Sequence, residues 1–241
     1  MAKFCTKCGK PTEECTCDTK VANTTEKVSN ENNSKKDFNW YLNSWIDIVK
    51  GIFVKPIDTI KEYSKDDNFI LGIISIVLNS LITGVMFYLF LDNASSSLSS
   101  ISGFEMLGLM GGLGIEIPFV KTVLYVALFM LVMFFTSVVM IQLLAGNLFK
   151  ADSTFKKSIS LVGTCAVLTT ITSVVAIICA YISPKLFVIL LALAAILYSK
   201  HLYHGIGAVT KIDENKQGYT YLVMFAVTMF VTFYILPKIL F

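Results

Sequence analysis

Residues 69–91 read FILGIISIVLNSLITGVMFYLFL, an uncharged stretch of 23 residues. Fifteen of these residues are Phe, Ile, Leu or Val. At roughly −0.3 to −0.6 kcal/mol each, they favour membrane insertion by about 5 to 9 kcal/mol before the polar residues are subtracted. About 20 apolar residues in a helix are enough to cross the roughly 30 Å hydrocarbon core of a bilayer. The stretch therefore predicts a membrane-spanning helix.

Four further apolar segments follow, at residues 122–145, 159–182, 186–203 and 219–236. Among them, the segment at 186–203 is the least apolar, because its continuous hydrophobic run ends at Leu197. It spans if Lys200 extends its side chain to the membrane interface. The alternative is that this segment and the one before it form a single kinked element that crosses once. We predict an all-α polytopic membrane protein with five transmembrane helices.

The composition of the whole chain agrees with a membrane protein. Hydrophobic residues make up 55% of the 241 residues and charged residues only 15%, whereas soluble domains contain about 25% charged residues. The 2 histidines and 17 acidic residues lie almost entirely outside the apolar segments. This distribution argues against a hydrolase or a proton pump. The net charge of +3 comes from loops at a membrane surface, so we expect no nucleic-acid partner.

The distribution of lysine predicts the orientation. All 20 basic residues are lysines, and they flank the predicted spans unequally. Ten lie on one side: Lys50, Lys55, Lys61, Lys65, Lys150, Lys156, Lys157, Lys200, Lys211 and Lys216. Three lie on the other side: Lys121, Lys185 and Lys238. The positive-inside rule then places the N-terminus in the cytoplasm and the C-terminus outside the cell membrane.

Residues 92–118, between the first two spans, are rich in serine and glycine. Such composition is typical of a surface loop, which is our interpretation. The alternative is a segment that re-enters the membrane where protein buries it.

Four cysteines near the N-terminus have the spacing of a metal site. Cys5 and Cys8 form a Cys-x-x-Cys motif followed by glycine, and Cys15 and Cys17 follow with one residue between them. Four thiolates suit a tetrahedral, structural Zn²⁺. The alternative of two disulfides is disfavoured by a reducing cytoplasm. We predict a zinc ribbon at residues 1–17, whose second knuckle departs from the usual spacing of two intervening residues.

The segment between the ribbon and the first span has two parts. Residues 18–37 are polar and lack aromatic residues, which predicts a flexible linker. In residues 38–68, apolar residues recur at helical spacing up to Lys55, and Pro56 then ends one helix and begins another. We interpret this part as amphipathic helices in the headgroup region, anchored by Trp40 and Trp45, ahead of a membrane domain at residues 69–241.

Several short motifs in the chain resemble the Yip-type membrane proteins, named for their interaction with Ypt/Rab GTPases, and specifically their bacterial relatives with an N-terminal zinc ribbon. The motifs are VKPIDTI at 54–60, LAGN at 144–147, STFKKS at 153–158 and Val162-Gly163. The resemblance covers residues 47–241 and includes the five-span layout. It implies a helical bundle without a known catalytic residue that acts through partners in membrane organisation or trafficking.

Two function hypotheses follow. The first is a non-enzymatic interaction or scaffold protein, in which the zinc ribbon or the cytoplasmic loops recruit a protein partner. The alternative is a small-solute transporter or channel component, in which Asn79 or Gln142 lines a wet cavity inside the membrane. The simpler interpretation is that these two residues form hydrogen bonds between packed helices and line no cavity. Small residues four positions apart, such as Ser80 and Gly84, permit close helix contact and leave self-association open.

Overall fold

The computed structural model describes residues 37–97, 118–236 and 238, without the side chains of residues 93–97 and 184. The predicted ribbon, residues 18–36 of the predicted linker and most of the Gly- and Ser-rich segment lie outside the described residues.

Seven helices make up the described part of the chain. Two short ones come first: α1 (Phe38–Val54) and α2 (Pro56–Tyr63). Five long ones follow: α3 (Phe69–Ser97), α4 (Phe119–Ile141), α5 (Phe155–Ile182), α6 (Pro184–Thr210) and α7 (Glu214–Phe230). A 3₁₀ turn (Asp66–Asn68) leads into α3, and π-helical turns extend α4 (Gln142–Leu148) and α7 (Val231–Ile235).

The prediction of five membrane-spanning helices is confirmed within the described residues. The five long helices provide apolar segments of 22 to 30 residues. At 1.5 Å per residue, each is long enough to cross the hydrocarbon core. These helices therefore form the membrane domain.

The centre of the bundle is the contact between α3 and α5. A Cβ added at Gly163 of α5 would collide with the backbone of Gly72 of α3, and one added at Gly72 would lie 2.8 Å from the carbonyl oxygen of Ile159. Seven residues after Gly72, Asn79 bonds to α5 near Ala166. The two helices therefore run parallel with their backbones in contact, as small residues permit in membranes.

Helix α6 returns along α5 and extends to Thr210, beyond the predicted end near residue 203. Its continuation is buried, because Leu202 and Ile206 join the main core cluster with Leu161 of α5. Lys200 is exposed, as snorkelling requires. The third and fourth segments are thus two helices that form an antiparallel hairpin, and the single kinked element is wrong.

The break between α1 and α2 occurs where the sequence predicts it. Helix α1 ends at Val54, and Pro56 occupies the first turn of α2. The corner is tight, because a Cβ added at Gly51 would collide with the side chain of Thr59. The hydroxyl of Thr59 donates to the carbonyl oxygen of Lys55 at 2.9 Å.

Part of the apolar stripe of α1 packs on protein rather than on lipid alone. Ile48 is fully buried and forms a cluster with Leu71 of α3 and Val167 of α5. By contrast, Phe38 and Leu42 on the same helix are 78% and 48% exposed. Helix α1 therefore presents apolar surface in two directions, one toward the bundle and one away from it.

Candidate functional site

The predicted zinc ligands Cys5, Cys8, Cys15 and Cys17 lie outside the described residues. Among the residues that the structure does describe, no group of three or more His, Cys, Asp or Glu side chains is arranged to hold a metal ion. His201 faces its own helix, with Nδ1 2.7 Å from the carbonyl oxygen of Leu197. Cys165 and Cys179 are free thiols, as their separation along α5 predicts.

Asn79 lies at the contact between α3 and α5 and is fully buried. Its amide donates to the carbonyl oxygen of Ala166 at 3.2 Å and contacts the hydroxyls of Thr169 and Thr170 at 2.8 and 3.0 Å. Its side-chain oxygen receives no hydrogen bond from the described residues. An amide with this set of partners joins two helices, which is the common use of Asn within membranes.

Gln142 lies at the end of α4, at the corner that leads to α5. Its amide nitrogen is 3.5 Å from the carbonyl oxygen of Ser153, and the Ser153 hydroxyl donates to its oxygen at 3.4 Å. A Cβ at Gly146 would lie 2.6 Å from the Gln142 amide nitrogen, so a larger residue there would require the Gln142 side chain to shift. These contacts join the two sides of the α4–α5 corner through Gln142.

The same corner carries an ion pair. Lys157 Nζ is 2.7 Å from the Asp152 carboxylate. The hydrogen bond and the positive charge of Lys157 lower the pKa of Asp152. The Thr154 side chain caps α5 by accepting from the backbone N–H of Lys157, and its hydroxyl also donates to the Asp66 carboxylate. The α4–α5 corner is thus tied to the start of α3.

The helix junctions that carry most lysines meet at one end of the bundle. The rings of Phe149 and Tyr219, 6.2 Å apart, bring the α4–α5 corner beside the start of α7. A Cβ added at Gly205 of α6 would contact Leu161 and Ile60, which brings α2 to the same end. The ten lysines of the larger group lie on the segments that meet here.

The opposite end holds the other helix junctions. Phe90 of α3 stacks on Phe187 of α6 at 4.2 Å, and Tyr88 meets Phe119 of α4 at 4.8 Å. Lys121 and Lys185 lie next to these contacts in sequence. The structure therefore separates the two lysine groups in space, as the predicted five crossings require.

A polar groove of about 340 Å³ lies between α1 and α2. It carries three carboxylates and two ammonium groups, and its lining residues are Asp47, Lys50, Gly51, Val54, Lys55, Asp58, Thr59 and Glu62. Beside it, burial and then the negative charges of Asp47 and Glu62 raise the pKa of Tyr63. The groove is therefore a concave surface that carries charges of both signs and lies outside the five membrane-spanning helices.

The tryptophans predicted to anchor the interface pack on the protein in this region. Trp40 and Trp45 pack against the cluster around Ile48, and the ring of Trp40 meets that of Tyr41 edge-on at 5.1 Å. The indole N–H of Trp45 is buried and has no hydrogen-bond partner among the described residues. Pro56 begins α2, which docks on the bundle through the fully buried Ile60.

Helix α7 turns a polar face toward the bundle. Its buried positions are Gln217, Thr220, Met224 and Thr228, followed by Thr232 in the π-helical turn. The hydroxyl of Thr228 lies 3.3 Å from that of Ser137 on α4. The sequence carries a signal for this face, because these positions repeat every three to four residues.

A comparison with protein families matches the Yip1 domain over residues 50–236. The chain belongs to the Yip1 domain family. Searches of curated proteins and of solved structures give no match. The match begins within α1 and ends after α7, so it includes the five membrane-spanning helices.

The motifs that suggested this family lie at junctions of the Yip1 domain. VKPIDTI at 54–60 forms the corner between α1 and α2. LAGN at 144–147 and STFKKS at 153–158 frame the corner closed by Gln142, and Gly163 meets Gly72. These motifs therefore build the lysine-bearing end and the central helix contact of the Yip1 domain.

Proposed function

We propose that the chain is a non-enzymatic, multi-pass interaction or scaffold protein of the cell membrane, of bacterial Yip type, whose cytoplasmic zinc ribbon recruits a protein partner. The observation that carries this proposal is the Yip1 domain match on a five-helix bundle in which the buried amide of Asn79 joins helix to helix. The Asn79 amide nitrogen bonds to α5, and the Gln142 amide group contacts Ser153 across the α4–α5 corner.

The charged groove between α1 and α2 supports the same proposal. Its three carboxylates and two ammonium groups could pair with the charged side chains of a protein partner. Such contacts are what an interaction protein uses outside the hydrocarbon core.

One observation favours the alternative of a small-solute transporter or channel component. The hydroxyls of Thr220 and Thr232 are buried on the inner face of α7 without a hydrogen-bond partner among the described residues. Transport would gain support if replacing both by valine changed solute flux and left partner capture unchanged. The structural contacts of Asn79 and Gln142 weigh toward the scaffold.

The experiment that tests the proposal is crosslinking in native membranes followed by identification of what is captured. The full chain is compared with a version that lacks residues 1–37 and keeps all seven described helices. We expect a partner captured by the full chain to be lost from the shortened chain, while the thermal unfolding of the bundle in detergent stays the same. Undiminished capture by the shortened chain would contradict recruitment by the ribbon.

A further inference from the structure

The surface of the bundle between α3 and α4 contains an apolar groove with a volume of about 450 Å³. Its walls consist entirely of hydrocarbon side chains: Ile73, Ile76, Val77, Leu131, Val132, Phe135, Val138 and Ile159. The groove lies within the membrane-spanning segments of α3, α4 and α5. Its walls are therefore suited to an apolar ligand from the bilayer and not to a water-soluble one.

A lysine lies at the end of the groove nearest the α4–α5 corner. Ile159 lines the groove in the first turns of α5, and Lys156 precedes it by three residues on the same helix face. The ammonium group of Lys156 lies 5.1 Å from the ring centroid of Phe69, one turn before Ile73 on α3. The contact with Phe69 and the helical spacing from Ile159 both place this positive charge at the mouth of the groove.

The charge of Lys156 is directed to the groove side of the corner. Its neighbour Lys157 is paired with Asp152, whereas Lys156 is exposed and rests on an aromatic ring. The ring of Phe155 contacts Phe135 in the groove wall at 6.4 Å between centroids. A negative group at the mouth of the groove would pair with Lys156, while an apolar tail attached to it would lie between α3 and α4.

We propose that this groove binds one acyl chain of an anionic phospholipid, with the phosphate of the headgroup paired to Lys156. An amphiphile with a negative head and a long apolar tail matches both the charge at the mouth and the hydrocarbon walls. The lipid belongs to the leaflet beside the α4–α5 corner. This inference goes beyond the scaffold function and depends neither on the ribbon nor on which side of the membrane that corner faces.

The test measures phosphatidylglycerol and phosphatidylcholine bound to the purified full-length protein by native mass spectrometry. Val77→Trp fills the groove from a residue that is 41% exposed, and Val175→Trp places the same bulk on α5 at 43% exposure outside the groove. We expect Val77→Trp to lower the binding of both lipids and Val175→Trp to leave it unchanged. Phe135→Ala removes a wall residue without adding bulk and is expected to weaken both lipids as well.

The headgroup contact has its own variant. Lys156→Gln should weaken phosphatidylglycerol about fivefold, because one lysine near anionic lipid contributes on the order of 1 kcal/mol. Phosphatidylcholine should weaken less, because its choline ammonium offsets the charge of the phosphate that both lipids carry. The proposal would be overturned if Lys156→Gln bound as much phosphatidylglycerol as the parent protein. It would also be overturned if both Val77→Trp and Phe135→Ala did so. So would competition by inorganic phosphate alone. A dimer in the same spectra that Val77→Trp abolishes would assign the groove to a second copy instead.

Discussion

Gly163→Ala is expected to destabilise the membrane domain by roughly 3 kcal/mol, at the upper end of what overpacking costs. The added Cβ would collide with the backbone of Gly72, and backbone atoms cannot move aside as the end of a flexible side chain can. Helices α3 and α5 would have to separate, which also weakens the hydrogen bonds from Asn79 to α5. A large decrease in the thermal unfolding midpoint in detergent, with a reduced yield of folded protein, is the measurable result.

Gly218→Ala is the matched control. Gly218 lies in the first turns of α7, and an added Cβ there would meet nothing within 4 Å. Alanine is favoured over glycine in a helix by roughly 1 kcal/mol, so this variant should be as stable as the parent chain or slightly more. If Gly163→Ala and Gly218→Ala unfolded at the same temperature, the central α3–α5 contact would be wrong.

The second large effect concerns the metal. We expect the purified protein to contain one Zn²⁺ per chain, held by Cys5, Cys8, Cys15 and Cys17. The double variant Cys5→Ser, Cys8→Ser should contain none, because two remaining thiolates cannot complete a tetrahedral site. Metal content is measured by mass spectrometry of the digested protein. The bundle should unfold at an unchanged temperature, since the ribbon precedes the matched domain.

Cys179→Ser serves as the control for the zinc measurement. Cys179 is a free thiol within α5, so its replacement should leave the zinc content at the level of the parent chain. Unchanged zinc in the double variant would instead assign the metal to other residues. His201 and His204, three residues apart on α6, would be the next pair to replace. If the four cysteines form two disulfides instead, neither the parent chain nor the double variant should contain zinc.

The membrane-spanning helices could be predicted from the sequence because apolar length alone decides insertion. The end of α6 could not, because Lys200, His201 and His204 interrupt the apolar run there. In the structure the helix continues, since Leu202 and Ile206 recur at helical spacing and are buried while Lys200 stays exposed. A linear hydrophobic run does not reveal such a helix, in which polar and apolar residues occupy different faces.

The contacts between helices could not be predicted from the sequence. Helical periodicity identified an apolar stripe on α1, but it cannot distinguish lipid from protein as the surroundings, and Ile48 packs on protein. The sequence identifies Asn79 as a polar residue within a predicted span, whereas its partners on α5 depend on how two distant segments meet. The apolar groove likewise requires α3, α4 and α5 to lie side by side.

We infer a topology of five membrane crossings, with the lysine-bearing end of the bundle in the cytoplasm. A fluorescent protein or alkaline phosphatase fused after Gln217, at the start of α7, measures it most directly, with the same pair fused after Phe241 as the reference. We predict a fluorescent fusion after Gln217 and an active phosphatase after Phe241, because α6 and α7 each cross once. An active phosphatase after Gln217 would contradict the five crossings or their orientation.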